Sequence, residues 1–509
     1  MKETNNNKRE DFLPETLRDR YMYTHRVVKE LAQGGQGKVL TTEDETVIIK
    51  LATKNIGTQL LPVHVIVDKK KYPEDFQRLQ TLFQSIKLLP LPKNIHVTVP
   101  QALLLDKAGY VMRFMEKSEK LYDSICNTNN LLEYAKTGGT RRRLEISCKA
   151  FAILSQLHSS GLIYGDITPN NIYITKNINI KFPNVWFIDS DNMHRVSGLP
   201  NCCFTPMFAA PEVAKGISPN TQESDIYSLA ITCFYLCASV YPFYGNLIEG
   251  EDWAADSKAE DEDVYTKAHN GDFPFIDDFG DDSNFSEDGL PRELVFTDEL
   301  RFLFNKMFSK ESRSNPELRP TAYHWIRAFS RAADISVMCQ SEACIKDYQH
   351  SEIKSGESVS IRNMTYLMKS TDCCCPYCDT PFTSGVILLR DNEVVFAREF
   401  SIADEKNYTV SIPERVFKVF NIETNDQNIL TINIQRNITD NLVKLIIPKT
   451  SFSIENSFSA KIDYKNSHKL TSFICDKDQD IDCNLSIKIG NMQEKNYRLI
   501  IKIPKGVKK

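Results

Sequence analysis

The sequence predicts an α+β protein: a small N-terminal sheet, then a mainly helical region, a cysteine-rich module and an all-β C-terminal domain. Residues 27–50 alternate between apolar and polar side chains around a glycine-rich turn, which is typical of paired strands. Residues 141–158 and 224–240 carry long apolar patterns with helical spacing. From Gly385 onwards, short β-branched runs alternate with Asn, Asp and Lys turns, which predicts further strands.

Size, composition and charge describe a multi-domain globular protein. The chain has 509 residues, of which 41% are hydrophobic and 25% charged, and its length predicts about three domains. Its formal net charge is -5, so no general attraction to nucleic acid or anionic lipid is expected. The polar N-terminus lacks the apolar core of a signal peptide, and the apolar stretch 228–243 is short for a membrane span. We therefore expect a cytoplasmic protein without membrane or nucleic-acid partners.

The order of elements in the first half of the chain suggests two lobes. A flexible tail over 1–23 precedes the strands, and a helix is expected to begin at Pro73, followed by Glu74 and Asp75. The acidic stretches 249–263 and 277–288 are predicted to be solvated loops. Further short strands are expected at 97–104, 110–115, 172–174, 185–188, 386–389, 430–434, 442–447, 485–489 and 499–503.

A glycine-rich turn precedes a strand that ends in a lysine. Gly34, Gly35 and Gly37 would let backbone amides approach phosphate oxygens without a side-chain clash, although a plain hairpin turn is the alternative. Alternation places Lys50 on the inner face of the sheet, where a cation needs an anionic partner. A glycine loop followed by a strand lysine is the order in which protein kinases hold the α- and β-phosphates of ATP.

The most specific pattern is the stretch 162–174, Leu-Ile-Tyr-Gly-Asp-Ile-Thr-Pro-Asn-Asn-Ile-Tyr-Ile, which resembles the catalytic loop of protein kinases. In that family the aspartate accepts the proton of the substrate hydroxyl, and the asparagine five residues later binds a metal ion. The resemblance assigns these roles to Asp166 and Asn171. Asp189, at the end of the strand Trp-Phe-Ile-Asp, resembles the metal-binding aspartate of the DFG motif. The implied metal is Mg²⁺ or Mn²⁺.

The resemblance covers roughly residues 24–335, with an N-lobe at 24–118 and a C-lobe at 119–335. Residues 205–212, Thr-Pro-Met-Phe-Ala-Ala-Pro-Glu, resemble the end of an activation segment, and Asp225 resembles the aspartate that braces the catalytic loop. The resemblance implies a bilobal kinase fold and an ATP-dependent serine/threonine kinase that acts on a protein substrate. The implied nucleotide-binding residues are Ala32, Gln33, Gly34, Gly35, Gly37, Val39, Lys50, Met112, Phe114, Asn171 and Asp189.

Four departures from the family pattern affect the expected chemistry. Ala32 replaces the first loop glycine, Tyr164 and Gly165 replace the catalytic-loop histidine and arginine, and the DFG motif reads Asp-Ser-Asp. Without that arginine, switching by a phosphate on the activation segment is not expected. Thr168 replaces the catalytic-loop lysine, and its hydroxyl could still bond to Asp166. We expect a slower kinase that is active without such switching.

The helix glutamate that pairs with the strand lysine in protein kinases has no obvious counterpart. The helix interior, residues 76–85, contains only glutamines, Arg78, apolar side chains and small hydroxyls. Glu74 and Asp75 are the nearest acids, but charges at a helix start are equally well explained by the helix dipole. The partner of Lys50 therefore stays open between Glu74, Asp75 and neither.

A closer resemblance links the chain to a bacterial kinase group found with von Willebrand-type and metal-dependent phosphatase proteins in stress-resistance gene clusters. It rests on Gly-Asp-Ile-Thr-Pro-Asn-Asn, Ile-Asp-Ser-Asp-Asn and the cysteine module that follows. It implies a cognate phosphatase and a von Willebrand-type protein as partners.

Six of the fourteen cysteines lie between Cys339 and Cys378. Two short pairs, Cys339 with Cys344 and Cys375 with Cys378, predict a structural tetrahedral zinc site in a ribbon spanning 336–384. The first pair has looser spacing than the second, and one of its members could be replaced by His350, Cys373 or Cys374. Reactive or unpaired thiols are the alternative to zinc.

Three functions remain open from the sequence. The favoured one is a protein kinase. A pseudokinase scaffold that binds nucleotide and assembles partners is supported by Ala32, Thr168 and the missing helix glutamate. A small-molecule kinase shares the aspartate pattern but generally lacks the Ala-Pro-Glu turn. The β-rich domain 385–509, expected to be sandwich-like, shows no catalytic grouping, so partner or substrate binding is the default expectation there.

Overall fold

The chain forms two compact units, which are described separately. The first consists of the described residues within 1–121, 153–177 and 184–228, and the second of those within 122–152, 178–183 and 229–509. The computed structural model describes residues 13–34, 37–57, 63–126, 131–180, 182–198, 202–248, 258–341, 344, 364–404, 407–417, 428–436, 440–446, 451–455, 470–476, 480–488 and 495–503.

Strands dominate the two ends of the chain and helices its middle. The strands are β1 (Thr16–Arg18), β2 (Thr24–Gly34), β3 (Gly37–Thr42), β4 (Val47–Asn55), β5 (His64–Ile66), β6 (Ala102–Leu103), β7 (Gly109–Arg113), β8 (Ser118–Lys120), β9 (Leu162–Ile163), β10 (Ile172–Thr175), β11 (Val185–Phe187), β12 (His194–Arg195), β13 (Ser336–Met338), β14 (Thr365–Leu367), β15 (Gly385–Arg390), β16 (Glu393–Glu399), β17 (Ser401–Asp404), β18 (Asn407–Pro413), β19 (Asn428–Arg436), β20 (Asp440–Ile446), β21 (Ser451–Glu455), β22 (Leu470–Asp476), β23 (Ile481–Lys488) and β24 (Lys495–Lys502). The helices are α1 (Pro73–Lys87), α2 (Leu131–Lys136), α3 (Gly139–Ser159), α4 (Pro211–Ala214), α5 (Gln222–Ala238), α6 (Lys258–His269), α7 (Arg292–Val295), α8 (Asp298–Phe308), α9 (Lys310–Ser314) and α10 (Ala322–Asp334).

The first unit is built on an antiparallel sheet with the strand order β1-β2-β3-β4-β7-β6, and β5 pairs with β4. The predicted strands around the glycine turn are confirmed as β2, β3 and β4. The flexible tail expected over 1–23 is wrong for residues 16–18, which form β1 and pair with β2, and residues 1–12 lie outside the described residues. The strand expected over 97–104 is wrong in extent, because only Ala102–Leu103 join the sheet and Val97 makes an isolated bridge to Phe187. Pro100 has no N–H to donate to a strand ladder, which explains the late start.

Helix α1 covers one face of this sheet, and its start is confirmed. Pro73 occupies the first turn, where its missing N–H costs nothing, and Glu74 and Asp75 lie near the positive end of the helix dipole. Phe83 is buried, and its ring lies 4.9 Å from the ring of Tyr110 on β7, measured between centroids. Burial of the apolar face of α1 packs the helix against the sheet that includes β4, the strand with Lys50.

Two small sheets in the same unit hold the loops that carry polar residues. β10 pairs with β11 and β8, while β9 pairs with β12. The loop 164–171 joins β9 to β10, and β11 ends two residues before Asp189. The predicted short strands at 172–174 and 185–188 are confirmed by β10 and β11.

The second unit contains an aromatic helical core. The rings of Phe234, Phe304 and Phe308 pack together, with Phe234 lying 5.1 Å from Phe304 between centroids. The loop expected over 249–263 is wrong for residues 258–263, which form the start of α6, and 249–257 lie outside the described residues. Val264 and Ala268, one turn apart, are buried and anchor this helix.

The described strands between Gly385 and Ile503 form two five-stranded antiparallel sheets. Their orders are β16-β15-β24-β23-β21 and β17-β18-β19-β20-β22. Side chains from both sheets share one buried cluster, to which Val386 and Leu499 contribute from the first sheet and Ile432 from the second. The five runs named from the sequence are strands over their described residues except Ile503, with 447 and 489 lying outside the described residues, and β16, β17, β18, β21 and β22 are further strands of this region.

A buried ion pair joins the helical region of the second unit to these strands. Arg141 on α3 donates from both terminal nitrogens to Glu399 on β16, at 2.6 Å each. The same guanidinium donates to the side chain and carbonyl of Ser336, and the backbone N–H of Met338 donates to Glu399 at 3.0 Å. Burial raises the pKa of Glu399, but the charge and hydrogen bonds of Arg141 outweigh it and lower that pKa to about 2.

Among the described residues, no helix has both the length and the hydrophobicity needed to cross a membrane.

Candidate active site

Lys50 lies buried between two carboxylates in the first unit. It occupies the middle of β4, opposite Val39 on β3 and Tyr110 on β7, and alternation turns its side chain inward as predicted. Its Nζ lies 2.6 Å from Oδ1 of Asp189 and 2.8 Å from Oδ2 of Asp191. Burial lowers the pKa of Lys50, but the two carboxylates outweigh burial and raise it, so the lysine stays protonated and positively charged.

Asp191 is the site residue that the sequence analysis missed. It is nearly as buried as Lys50, and it accepts a second hydrogen bond from the hydroxyl of Tyr110 at 2.8 Å. The expected acids on α1 do not take this role, because Asp75 pairs with Lys54 at 2.7 Å and Glu74 is exposed. The signal in the sequence was the unusual Asp-Ser-Asp motif, whose second acid replaces the glycine of DFG.

Asp189 has a left-handed backbone conformation. Its φ of 64° is uncommon for a residue other than glycine, and such strain persists where surrounding structure holds it. Asp189 leads directly into a 3-10 turn at Ser190–Asn192, which brings Asp191 back towards Lys50. Both carboxylates therefore come from one short segment after β11.

Asp166 and Asn171 meet within the loop between β9 and β10, as predicted. Asn171 donates from Nδ2 to the carbonyl of Asp166 at 3.0 Å and to its Oδ2 at 3.2 Å. Thr205 donates its hydroxyl to Oδ1 of Asp166 at 2.9 Å. Thr168 is buried, and the hydroxyl bonded to Asp166 in the described part of the chain comes from Thr205 rather than from Thr168. Burial raises the pKa of Asp166, while the hydrogen bond from Thr205 opposes that rise.

Asp225 braces this loop from the start of α5, as predicted. Its carboxylate accepts the backbone N–H of Tyr164 at 2.7 Å and that of Gly165 at 2.9 Å, and it lies 3.1 Å from Nε2 of His158. Gly165 has a φ of 91°, a conformation that an arginine would adopt only with strain. The hydroxyl of Tyr164 donates to the carbonyl of Ile188, which ties the loop to the segment that carries Asp189.

Comparison with known proteins matches this arrangement to one family. Residues 26–328, more than half of the chain, match the model of the protein kinase domain. The chain belongs to the protein kinase family.

Three relatives of this kinase domain illustrate how distant the similarity is. The chain is 23% identical over 203 residues to the serine/threonine-protein kinase SIK3 homolog of Danio rerio, a match that covers 40% of this chain and 16% of that protein. It is 24% identical over 219 residues to testis-specific serine/threonine-protein kinase 1 of Homo sapiens, covering 42% and 54%. It is 30% identical over 101 residues to serine/threonine-protein kinase GRIK1 of Arabidopsis thaliana, covering 19% and 24%. The chain thus spans at most about half the length of these relatives, all of which are eukaryotic.

The predicted nucleotide-binding residues of the sheet lie in an apolar cluster and in the β2–β3 hairpin. Val39, Met112 and Phe114 belong to or pack against one apolar cluster beneath the sheet. Gly34 and Gly37 close the β2–β3 hairpin opposite each other. Ala32 and Gln33 are exposed on β2, whereas Gly35 lies outside the described residues.

Gly37 has a packing reason to be glycine beside any role in phosphate binding. A Cβ atom there would lie 2.5 Å from the carbonyl oxygen of Leu51 on β4. Backbone cannot yield as a flexible side chain can, so the close approach of β3 and β4 requires glycine at this position.

The polar groups of the kinase site fit a hard divalent cation. Asp166, Asp189 and Asn171 offer carboxylate and amide oxygens, the ligand types that Mg²⁺ prefers. Asp166, Asp189 and Asp191 outnumber Lys50, so the group carries net negative charge before any cation binds. The donor set is therefore compatible with a divalent cation.

Four thiols converge in the second unit. The Sγ atoms of Cys339, Cys344, Cys375 and Cys378 all lie within 4.8 Å of one another, and none of these cysteines forms a disulfide. Hydrogen bonds from the other thiols lower the pKa of Cys339, which favours one thiolate in the group. The alternative ligand Cys373 bonds instead to the carbonyl of Leu367, Cys374 is exposed, and His350 lies outside the described residues.

Proposed function

We propose that this chain is an ATP-dependent serine/threonine protein kinase that transfers the γ-phosphate of Mg-ATP to a protein hydroxyl. The observation that carries the proposal is that the pairs Lys50–Asp189 and Asp166–Asn171, drawn from three separate segments, adjoin each other. The N–H of Ile188, next to Asp189, donates to the carbonyl of Asn171 at 2.9 Å, which supports a shared phosphoryl-transfer site. The names of its relatives support serine or threonine as the target residue.

Each residue has a defined task in this proposal. Asp166 accepts the proton of the substrate hydroxyl, and Thr205 and Asn171 hold its carboxylate in place by hydrogen bonds. Lys50 positions the nucleotide phosphates, and Asn171 and Asp189 hold the metal. The metal, when bound, neutralises charge on the transferring phosphate. Gly165 occupies the position where kinases carry an arginine. That position therefore offers no cation to pair with a phosphate on the activation segment.

The zinc ribbon and the β-rich region complete the proposal. Four thiolates around one point suit structural zinc, because a closed set of four sulfur ligands leaves no open position for catalysis. The two sheets of 385–509 would form a sandwich-like domain that binds a partner or the substrate. A cognate phosphatase, a von Willebrand-type protein, the bacterial grouping and a cytoplasmic location stay predictions.

The test is incorporation of labelled phosphate from Mg-ATP into the protein and a generic basic substrate, followed by identification of the phosphorylated amino acid. Wild type is expected to give phosphoserine or phosphothreonine, and Asp166→Asn to lose the signal. Absence of transfer in both proteins, with nucleotide still raising the melting temperature, would instead support the nucleotide-binding scaffold.

A further inference from the structure

Lys50 has two acidic partners, and they lie on the same short segment. Asp189 Oδ1 and Asp191 Oδ2 approach its Nζ at 2.6 and 2.8 Å. Asp191 is the more enclosed of the two, with 11% of its side chain exposed against 31% for Asp189. The hydroxyl of Tyr110 donates to the remaining oxygen of Asp191, so both oxygens of this carboxylate are engaged.

Helix α1 contributes no acid to this lysine in the described structure. In protein kinases the strand lysine pairs with a glutamate of the corresponding helix, and movement of that helix controls the pairing. Here Asp75 pairs with Lys54, four residues further along β4, and Glu74 is exposed. The buried polar residue of α1 is Gln80, which bonds to the carbonyl of Leu104 and to Arg20.

We infer that Asp191 is the positioning residue for Lys50, in place of a helix glutamate, so that the segment 189–191 carries both the metal ligand and the counter-ion of the lysine. The inference rests on the proposed function and adds to it a statement about regulation. Lys50 then needs no acid from α1, and its orientation depends on the segment after β11.

In this inference Asp189 binds the metal and Asp191 pairs with Lys50. Asp189, which is more exposed, is free to turn to the metal because Asp191 still holds the lysine. Without the charge of Asp191, Asp189 would be the remaining carboxylate of the pair and would have to serve both Lys50 and the metal. Lys50 would then compete with Mg²⁺ for Asp189.

The test compares Asp191→Asn with the double variant Glu74→Gln, Asp75→Asn, which removes the acids of α1. Asn keeps the shape of Asp191 and can still accept the hydrogen bond of Tyr110, and it leaves Lys50 paired with Asp189, so the variant is expected to fold. Circular dichroism and thermal melting without nucleotide check this. Tyr110→Phe is a second variant that removes the hydrogen bond to Asp191 and keeps the ring against Phe83.

Asp191→Asn is expected to lower kcat/KM for ATP about 10- to 100-fold, the range for loss of one charge-assisted hydrogen bond. It is also expected to raise, by about tenfold or more, the Mg²⁺ concentration that gives half of the thermal stabilisation by ADP. Tyr110→Phe should shift both quantities in the same direction by less. The double variant on α1 should match wild type in both.

Equal Mg²⁺ requirements in Asp191→Asn and wild type would overturn the inference, as would a loss in the α1 double variant as large as that in Asp191→Asn. The Mg²⁺ titration with ADP needs no turnover. A wild-type protein that transfers no phosphate therefore refutes the proposed function and still leaves the role of Asp191 measurable.

Discussion

Replacing Glu399 by glutamine should destabilise the second unit far more than loss of a surface ion pair would. The carboxylate receives two bonds of 2.6 Å from Arg141 and one of 3.0 Å from the N–H of Met338. Glutamine keeps one oxygen but turns an NH₂ group towards the guanidinium, which loses its paired carboxylate and keeps only the weaker charge interaction with Glu145. Removal of one partner from a buried pair costs about 3–5 kcal/mol, so we expect a loss of that size in the free energy of unfolding.

Urea unfolding followed by tryptophan fluorescence measures this loss, and Asp482→Asn is the matched control. Asp482 forms an equally short pair with Arg498, at 2.6 Å, but about half of each side chain is exposed. The control should therefore cost less than about 1 kcal/mol. If Glu399→Gln cost no more than Asp482→Asn, the buried pair between α3 and β16 would stabilise the protein no more than the exposed pair does, contrary to the prediction.

The same variant has a pH signature. A carboxylate whose pKa is lower in the folded than in the unfolded chain stabilises the fold above the unfolded value, and that stabilisation is lost on acidification. For Glu399 the loss runs from pH 4.5, its ordinary pKa, down to about 2. The stability difference between wild type and Glu399→Gln should therefore shrink across this range, whereas a constant difference would argue against the ion pair.

Three other predictions concern the thiols, the catalytic loop and the hairpin. Cys375→Ser should lose bound zinc and lower the melting temperature, whereas Cys374→Ser, at an exposed thiol, should change neither; equal zinc content in both would contradict the zinc site. Thr205→Val should lower kcat about tenfold and move the acid limb of the pH profile to higher pH. In wild type the hydrogen bond from Thr205 lowers the pKa of the base, Asp166, so its removal should raise that pKa. An acid limb at the wild-type pH would contradict this. Gly37→Ala should destabilise the protein by about 1–3 kcal/mol because its Cβ meets backbone. Gly280→Ala, whose added Cβ would make only an ordinary contact of 3.7 Å with the side chain of Asp278, should stay near wild type in thermal melting.

Motif resemblance and local spacing were enough to name most of the candidate site residues. Asp166 and Asn171 lie on one loop five residues apart, and Asp189 lies two residues after β11, which pairs with the strand that follows this loop, so the sequence order already places them near one another. The strands after Gly385 were predictable for the same reason, because β-branched runs between turns need no distant partner to be identified.

Contacts between distant residues could not be predicted in this way. Thr205 reaches Asp166 across 39 positions, and Tyr110 reaches Asp191 across 81. The partner of Lys50 was sought on α1, since a sequence pattern shows which residues share an element but not how the chain turns after β11. Residues 258–263 were assigned to a loop because their apolar anchors, Val264 and Ala268, lie beyond the acidic run.

We propose that Lys50, Asp166, Asn171 and Asp189 form a phosphotransfer site. Its most direct test is a single-turnover measurement of γ-phosphate transfer at saturating Mg-ATP, for wild type and Asp166→Asn, with binding of Mg-ADP measured in parallel. We expect the variant to bind nucleotide as wild type does and to transfer phosphate at least about 100-fold more slowly. Equal transfer rates in the two proteins would contradict the role assigned to Asp166 and with it the account of the site.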